Sequence, residues 1–563
     1  MGRRVAIGIQ SFDTLREENY FYVDKTSFMK EWWESGDSVT LIARPRRFGK
    51  TLNMSMVEFF FSMKYANRGD LFEGLSIWQE EQYQKLQGTY PVISLSFANI
   101  KETTYEAMKL KIYELLRNLY SDYKFLLDSD KLSKTEQGFI NRVLDGVTEV
   151  EATMAIHQLA RCLYQYYGKK VIILLDEYDT PMQEAYVHGY WNEAVSFIRS
   201  MFNSTFKTNP YLLRAIMTGI TRVSKESIFS DLNNLEVVTA TSNKYATAFG
   251  FTEEEVFNAL EECGLGEEKR KVKQWYDGFV FGTQKDMYNP WSILNFLSKK
   301  TYATYWANTS SNSLVGKLIR EGSVRVKETM ERLLQGEVIC CEIDEQIVYN
   351  QLEKTESAIW SLLLASGYLK ALSVEKIEEK TIGVWPKYEL TLVNKEVQYM
   401  FLRMAKEWFG TVEADYNDFI KALLLGNLKE MNAYMKRVTI QTFSYFDTGK
   451  GPLGDEPERF YHGFVLGLLA ELHGRYVITS NRESGFGRYD VMLEPKEKKD
   501  VAIILEFKVY DGDDEESLKD TVKAALAQIE EKQYEAVLVA RGIEPERIKK
   551  YGFAFQGKKV LIG

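Results

Sequence analysis

Cysteine is scarce in this 563-residue sequence, which has four, and none of them forms a CxxC pair. Such spacing supplies neither a disulfide framework nor a typical zinc site, and it fits a reducing, cytoplasmic location. No apolar run approaches the roughly 20 residues that a membrane helix needs, so no membrane partner is expected. The basic start, Met1-Gly2-Arg3-Arg4, leads into no apolar segment, so no signal peptide is expected.

An excess of positive charge is also lacking, since 71 basic side chains face 80 acidic ones and the net charge is −9. A global basic field is therefore excluded, and contact with nucleic acid would need a local basic patch. Apolar material, in contrast, is plentiful: 45% of the residues are hydrophobic and 13% are aromatic. At this length, roughly three or four domains with sizeable cores are predicted.

A phosphate-binding loop is predicted near residue 49. The apolar run at 38–43 is typical of a buried strand, the pattern at 52–63 is helical, and Gly49-Lys50-Thr51 stands between them. Gly49 would let backbone N–H groups approach phosphates, Lys50 would reach the β- and γ-phosphates, and Thr51 would ligate Mg²⁺. Taken alone, a chance GKT after a strand is the alternative. Arg44 replaces the usual first glycine, so it either alters the entry of the loop or contacts a phosphate itself.

A second apolar strand ends in an acidic pair. Residues 171–175 form a continuous apolar run, typical of a central parallel strand, and Asp176-Glu177 follow it. Asp176 would support Mg²⁺ and Glu177 would polarise the attacking water. The alternative is that the pair only begins the next helix. Together with the phosphate loop, it predicts an ATP site.

Two further strands, at 91–97 and 212–218, are predicted for the same sheet. Polar residues at the end of the second one, Thr218 or Thr221, are candidates for sensing the γ-phosphate. Arg222 either stabilises charge in the transition state or pairs with a nearby carboxylate.

Longer blocks of sequence accompany these motifs. They are Gly8–Ser27, Ala43–Thr51, Leu175–Pro181, Thr218–Leu235, Phe249–Val256, Trp275–Phe279 and Tyr288–Ser292. In these blocks the chain resembles the AAA-ATPase-like family that ends in a PD-(D/E)XK nuclease-type domain. The resemblance spans nearly the whole chain. It implies that Arg44, Arg47 and Phe48 belong to the family's own version of the nucleotide-binding loop, and it leaves the rate of ATP hydrolysis open.

The pattern changes beyond the turn-rich residues 448–452. The predicted elements are a helix at 458–471, strands at 475–479, 488–493 and 501–509, a helix at 515–533, and a strand at 534–540. This order resembles the PD-(D/E)XK core, and the resemblance places Asp490, Glu506 and Lys508 on its catalytic signature. It also makes Glu471 or Glu458 the best match for an acid of the first helix, and Gln528 the best match for a helix residue that follows the lysine.

The three signature residues fit metal-dependent phosphodiester cleavage. Alternate residues of a strand face the same way, so Glu506 and Lys508 project together. Asp490, from the neighbouring strand, would join Glu506 in an oxygen-only Mg²⁺ site. Lys508 would position or help deprotonate the attacking water. The alternatives are an ordinary E-x-K pattern on a strand, or a nuclease fold that no longer cuts.

An α/β multidomain protein with ATP and Mg²⁺ as cofactors is therefore predicted. Its segments are a P-loop NTPase domain with a parallel sheet at 1–245, a helical lid or small domain at 246–300, a mostly helical linking domain at 301–450, and a restriction-endonuclease-like α/β domain at 451–563.

The predicted function is an ATPase coupled to a Mg²⁺-dependent nuclease that acts on nucleic acid, DNA more than RNA. The alternatives are a switch or scaffold that binds nucleic acid or a partner without cleaving it, a nuclease whose first domain binds nucleotide but scarcely turns it over, and a remnant with neither activity. A homo-oligomer is left open, because ATPases of the resembling type often need an arginine from a neighbour.

Overall fold

The structure, a computed structural model, describes residues 3–221, 229, 232–307, 313–344, 352, 355–374, 387–409, 413–442, 465–469, 472, 475–484, 487–497, 500–512, 515–556 and 559–563. The chain divides into two compact units, one of Met1–Val315 with Val338–Gln398 and one of Gly316–Glu337 with Tyr399–Gly563. The division into four segments stays a prediction. Among the described residues, no helix is both long and apolar enough to cross a membrane.

The first unit contains a five-stranded parallel sheet. Its strands are β1 (Val39–Ala43), β2 (Val92–Ser96), β3 (Val171–Asp176), β4 (Leu212–Gly219) and β5 (Leu235–Val238). The order across the sheet is β2-β3-β4-β1-β5, and every neighbouring pair is parallel. All residues of β1 and β3 are buried, as their continuous apolar runs require when helices cover both faces. The four strands predicted for this sheet are thus confirmed. The fifth strand, β5, is short, carries Glu236 and is not among the predicted ones.

The sheet order places β4 between the strand that leads into the phosphate loop and the strand that ends in the acidic pair. Since the strands are parallel, their carboxyl ends meet at one edge. Residues 43 to 51, 176 to 179 and 218 to 221 therefore come together although they are far apart in the sequence.

Helices alternate with the strands. Up to residue 300 they are Phe12–Glu17, Ser27–Ser35, Lys50–Phe61, Glu81–Gln84, Tyr105–Asp122, Lys134–Asp145, Glu149–Tyr167, Thr180–His188, Trp191–Phe206, Glu253–Glu262, Lys269–Tyr276 and Pro290–Lys299. Later ones are Ser313–Glu321, Val324–Leu334, Glu356–Ala365, Lys395–Phe409, Glu413–Leu425, Leu428–Thr442, Leu518–Glu531 and Ala536–Ala540. Short 3₁₀ helices are Met63–Tyr65, Gly69–Phe72, Ser76–Gln79, Lys124–Asp128, Gly266–Glu268 and Pro545–Arg547.

The middle of the chain is less helical than predicted, because it also holds two three-stranded antiparallel sheets. One has the order β6-β8-β7, from Phe251–Thr252, Gln284–Tyr288 and Asp277–Phe281. The other has the order β10-β11-β9, from Leu369–Val374, Lys387–Leu392 and Ile339–Glu342. Burial alternates along β11, where residues 388, 390 and 392 are buried. This period of two distinguishes a half-exposed strand from the helical pattern around it.

The second unit contains a five-stranded mixed sheet. Its strands are β12 (Tyr476–Ser484), β13 (Gly487–Pro495), β14 (Ala502–Val509), β15 (Ile548–Gln556) and β16 (Lys559–Ile562), in that order. The β14–β15 pair is parallel and the other pairs are antiparallel. Residues from the helices Glu413–Leu425 and Leu428–Thr442 share one apolar core with this sheet. Of the predicted helix 458–471, the described residues 465–469 are helical.

The prediction of a strand at 534–540 is wrong. Residues Ala536–Ala540 form a short helix, and the strand that follows in the sheet is β15. The apolar, β-branched run favours a strand, but only Tyr534 and Leu538 are buried in it, and this spacing of four belongs to a helix face. Ala536, which a strand would place on the same face as Tyr534 and Leu538, is exposed.

Candidate active sites

The phosphate loop connects β1 to the helix Lys50–Phe61. Gly49 adopts a left-handed conformation, φ +82°, immediately before the helix begins. Lys50 is buried, and its Nζ donates hydrogen bonds of 2.9 Å to the carbonyl oxygens of Arg44 and Pro45. Burial lowers the pKa of Lys50, and the carboxylates of Glu177 and Asp176 oppose this effect. The amine is thus held against two carbonyl groups at the start of the loop.

Arg44, the residue in place of the usual glycine, is fully buried. Its guanidinium donates to the carbonyl oxygens of Ala43, Thr239 and Lys244. It also lies 4.5 Å from the centre of the Phe281 ring, and burial lowers its pKa to about 9. Lys50 contacts Arg44 through the Arg44 carbonyl oxygen. The Arg44 side chain contacts other groups and is not brought to the lysine.

The two other residues predicted to accompany the loop lie in different surroundings. Phe48 is buried, and its ring packs edge-on against Phe279 and Phe281 at centroid distances of 4.8 and 5.4 Å. Its carbonyl accepts the N–H of Gly250 at 3.2 Å. Arg47 is exposed and left-handed, φ +64°, with its guanidinium 4.4 Å over the ring of Trp291. The Phe48 ring is therefore part of the core and does not face a ligand.

Asp176 links the loop to the acidic strand. Thr51 Oγ1 donates to Asp176 Oδ2 at 2.7 Å, and the hydroxyl of Thr218 donates to Oδ1. Asp176 is buried, and this burial raises its pKa, while the two hydroxyl groups lower it in part. The predicted metal ligands Thr51 and Asp176 are thus adjacent, and they offer oxygen atoms of the kind that Mg²⁺ prefers.

Glu177 has a left-handed backbone, φ +51°, which is costly for a residue with a side chain and is found mostly where function demands it. Its N–H donates to Thr218 Oγ1 at 3.3 Å, and its carboxylate accepts the hydroxyl of Thr180 at 3.2 Å. This conformation turns Glu177 away from the line of the strand. Arg222, the predicted transition-state arginine, lies outside the described residues.

Asp179 was not predicted as a site residue. It is buried, and its Oδ2 accepts the N–H groups of Ile220 and Thr221 at 3.0 Å and the hydroxyl of Thr221 at 3.1 Å. These contacts fix the turn after β4 that leads to residue 222. The sequence feature that could have indicated this role is a second aspartate within Leu175–Pro181, three residues after Asp176.

The strand register brings the nuclease-type residues together. Val491 pairs with Leu505 in antiparallel register, so Asp490 comes opposite Glu506 when the register is continued by one residue. Opposite residues of antiparallel strands share a face, and Lys508, two positions on, shares it too. On the other side of β14, Glu506 pairs with Gly552.

The absence of a side chain at Gly552 lets a helix approach the sheet. A Cβ there would lie 2.9 Å from the carbonyl oxygen of Val522 and 3.0 Å from the Cβ of Ala525, both on Leu518–Glu531. This helix carries Gln528, whose Nε2 donates to Glu506 Oε1 and, at 3.1 Å, to the hydroxyl of Tyr534.

The two carboxylates of this site differ in their environment. Glu506 is 3% exposed. Asp490 is partly buried, and its Oδ2 accepts the N–H of Phe507 at 2.7 Å. Burial raises the pKa of Asp490 to about 6, although the Phe507 N–H and the charge of Lys508 lower it in part. Two carboxylates beside one lysine form an oxygen-donor set that fits Mg²⁺ or Mn²⁺.

Comparison with known proteins finds a match for each of the two regions that contain these residues. Residues 6–229 match the family model described as Predicted AAA-ATPase, and residues 456–563 match the PD-(D/E)XK nuclease superfamily. The chain therefore contains a region similar to a predicted AAA-ATPase and a C-terminal region similar to the PD-(D/E)XK nuclease superfamily. The resemblance predicted from the motifs is confirmed.

A similar relative is an Azotobacter chroococcum mcd 1 protein described as an uncharacterized protein in the vnfD 5' region. It is 26% identical over 400 residues, which cover 70% of this chain and 68% of that protein. Since that description states no activity, the function has to be argued from the sites.

Proposed function

We propose that this protein binds and hydrolyses ATP with Mg²⁺ in its N-terminal domain and that nucleotide controls a Mg²⁺-dependent nuclease in its C-terminal domain. The proposed substrate is nucleic acid, DNA in preference to RNA. The observation that carries the proposal is the register that sets Asp490 opposite Glu506, with Lys508 on the same face, in a chain that also pairs Thr51 with Asp176.

In the ATP site, Thr51 and Asp176 would hold Mg²⁺, and Lys50 would exchange the two loop carbonyls for phosphate oxygens. The bonds of Lys50 to these carbonyls hold its amine within the loop in the absence of nucleotide. Glu177, whose backbone turns it out of the strand, would orient the attacking water. The buried side chain of Arg44 would support the loop from the protein interior. The side chain of Arg47 is an exposed cation at the edge of the loop.

In the nuclease site, Asp490 and Glu506 would hold the metal, and Gln528 would orient Glu506 through its amide. Mg²⁺ bound there would polarise the scissile phosphate. Lys508 would hold the water for in-line attack and stabilise negative charge that develops on the phosphate oxygens. Because Phe507 N–H already fixes one oxygen of Asp490, the other oxygen is the one that would face a cation.

The decisive test measures cleavage of labelled DNA and RNA with Mg²⁺ or Mn²⁺, with and without ATP. Wild type is compared with Lys508→Ala, Lys50→Ala and Lys519→Ala, the last a matched control at an exposed lysine of the same C-terminal unit. Cleavage that disappears in Lys508→Ala and persists in Lys519→Ala supports the nuclease site. A changed response to ATP in Lys50→Ala supports control by nucleotide.

Two other outcomes would change the assignment. Binding of ATP and DNA without cleavage under any condition would replace the nuclease with a switch or scaffold. A cleavage rate that is the same with and without ATP, in wild type and in Lys50→Ala alike, would contradict the proposed control by nucleotide.

A further inference from the structure

A buried carboxylate lies in the first unit outside both sites. Glu396, near the start of the helix Lys395–Phe409, is 1% exposed. Its Oε1 accepts the N–H groups of Trp306 and Ala307 at 2.6 and 3.3 Å, and its Oε2 accepts the hydroxyl of Ser292 at 2.7 Å. A carboxylate is costly to bury unless it is satisfied, so these three donors define the geometry that the side chain stabilises.

Glu396 contacts two segments, one at Trp306 and one at Ser292. Each segment supplies a hydrogen-bond donor to the same carbonyl group of the phosphate loop. The indole Nε1–H of Trp306 donates to the Arg46 carbonyl oxygen at 2.9 Å, and the amide of Asn289 donates to the same oxygen at 3.2 Å. Asn289 caps the helix Pro290–Lys299 by accepting the N–H groups of Trp291 and Ser292. Glu396 therefore fixes both donors, one through the backbone of Trp306 and one through Ser292.

The orientation of the Arg46 carbonyl matters for phosphate binding. A trans peptide directs its C=O and N–H to opposite sides, so drawing this carbonyl toward Trp306 and Asn289 turns the Arg47 N–H the other way. Arg47 is held in the left-handed region, φ +64°. Gly49, two residues later, is left-handed as well. Successive N–H groups of residues that alternate between right- and left-handed conformations form the concave nests that bind anions. A left-handed conformation in a residue with a side chain persists only where its surroundings enforce it.

We infer that Glu396 is a positioning residue for the phosphate loop. It holds Trp306 and Asn289 so that they fix the Arg46 peptide, and the loop is thereby preformed for the phosphate chain of a nucleotide. This inference rests on the proposed ATP site and adds a residue that lies 350 positions from the loop in sequence.

Substitutions can separate hydrogen-bonding geometry from charge. In Glu396→Gln the amide oxygen can accept both N–H groups and the amide nitrogen can donate to Ser292, so this variant should retain ATP affinity. Glu396→Leu keeps a similar volume and loses all three bonds, so its affinity should fall about tenfold or more. Trp306→Phe removes the indole donor and keeps an aromatic ring, and we expect an affinity about threefold to tenfold lower.

The experiment titrates ATP and inorganic tripolyphosphate into the full-length protein by calorimetry. Trp78→Phe, at an indole that stacks on Phe72, is the matched control. Tripolyphosphate has the phosphate chain and no base, so it should lose the same factor as ATP in Trp306→Phe. A purely structural role would lower the melting temperature and leave the affinity of the folded protein unchanged.

Wild-type affinity in Trp306→Phe would overturn the inference, as would a loss in Glu396→Gln as large as in Glu396→Leu. These results are distinguishable from failure of the proposed function, in which wild type itself binds neither ATP nor tripolyphosphate and both proposals fall together.

Discussion

Asp176 and Asp490 each belong to a pair of predicted metal ligands, yet different donors hold them. Asp176 accepts the hydroxyl groups of Thr51 and Thr218, which are side chains from a helix and from a neighbouring strand. Asp490 accepts a backbone N–H, that of Phe507 on the adjacent strand. A hydroxyl group can rotate and exchange partners, whereas a strand N–H keeps its direction.

The comparison indicates two ways of building a metal site. In the first, the ligands bond to each other and would rearrange when a cation and nucleotide bind. In the second, strand register sets the ligands beforehand, and the helix that carries Gln528 adds the remaining contact. Substitutions of the ligands at the two sites should therefore lower activity by different amounts.

The largest effect is expected from removing charge at each site separately. Glu506→Gln should lower cleavage by about a thousandfold or more and leave ATP hydrolysis intact, because a neutral amide is a poor ligand for a hard cation. Asp176→Asn should lower ATP hydrolysis by a similar factor, and it should change the response of cleavage to ATP because nucleotide is proposed to control the nuclease. Both rates are measured on the same preparations, with thermal melting as a check on folding. Full cleavage by Glu506→Gln would remove this carboxylate from the site.

The second-largest effect is expected on ATP hydrolysis, from substitutions of the two threonines that donate hydrogen bonds to Asp176. Thr51→Val removes a proposed metal ligand, and ATP hydrolysis should fall about a hundredfold. Thr218→Val removes the hydrogen bond to the carboxylate and the acceptor of the Glu177 N–H, but no proposed metal ligand, so the expected loss is about tenfold. Steady-state release of phosphate over a range of Mg²⁺ concentrations measures both. Equal losses would show that the hydroxyl groups have equivalent roles.

A smaller, graded effect is expected with pH at the nuclease site. The pKa of Asp490 is raised to about 6, so below pH 6 a proton competes with the cation. Apparent Mn²⁺ affinity should rise about tenfold per pH unit up to pH 6 and then level off, because the carboxylate is charged above its pKa. Calorimetric titration of Mn²⁺ between pH 5 and 8 tests this. Asp490→Asn should lose the slope, and an unchanged slope would assign it to another group.

The smallest effect concerns the close approach of helix and sheet. Gly552→Ala places a methyl group 2.9 Å from the Val522 carbonyl oxygen, and it should lower the free energy of unfolding by about 1–3 kcal/mol. Gly138→Ala is the contrast, since its Cβ meets nothing nearer than 3.6 Å within the helix Lys134–Asp145. That change should stabilise by about 0.5–1 kcal/mol. Denaturant unfolding measures both, and a neutral Gly552→Ala would show that the helix can shift.

The phosphate loop and the sheet around it could be predicted because their sequence patterns are continuous stretches of the chain. The runs at 39–43 and 171–176 are buried along their whole length, and each ends in the residues that carry the chemistry. The E-x-K pattern on β14 is less specific, because a glutamate and a lysine two apart are ordinary on a strand. The family resemblance is what singles out Asp490, Glu506 and Lys508.

Contacts between distant segments were not predictable from the sequence. The bonds from Glu396 to Trp306 and from Trp306 to Arg46 join three segments that lack any common local pattern. The burial of the Arg44 guanidinium is of the same kind, since its partners at Thr239 and Lys244 are about 200 residues away. The strand predicted at 534–540 failed because the apolar run there is exposed along most of its length.

The chain passes from one compact unit to the other three times, after Val315, Glu337 and Gln398. A single cut in the backbone thus never yields the two units as separate products. A fragment that begins at residue 451 would also lack Phe419, Met431 and Met435, which share an apolar core with Leu505 and Phe553. Interleaving of this kind opposes the exchange of domains by recombination, so the ATPase-like and nuclease-like parts would be inherited together.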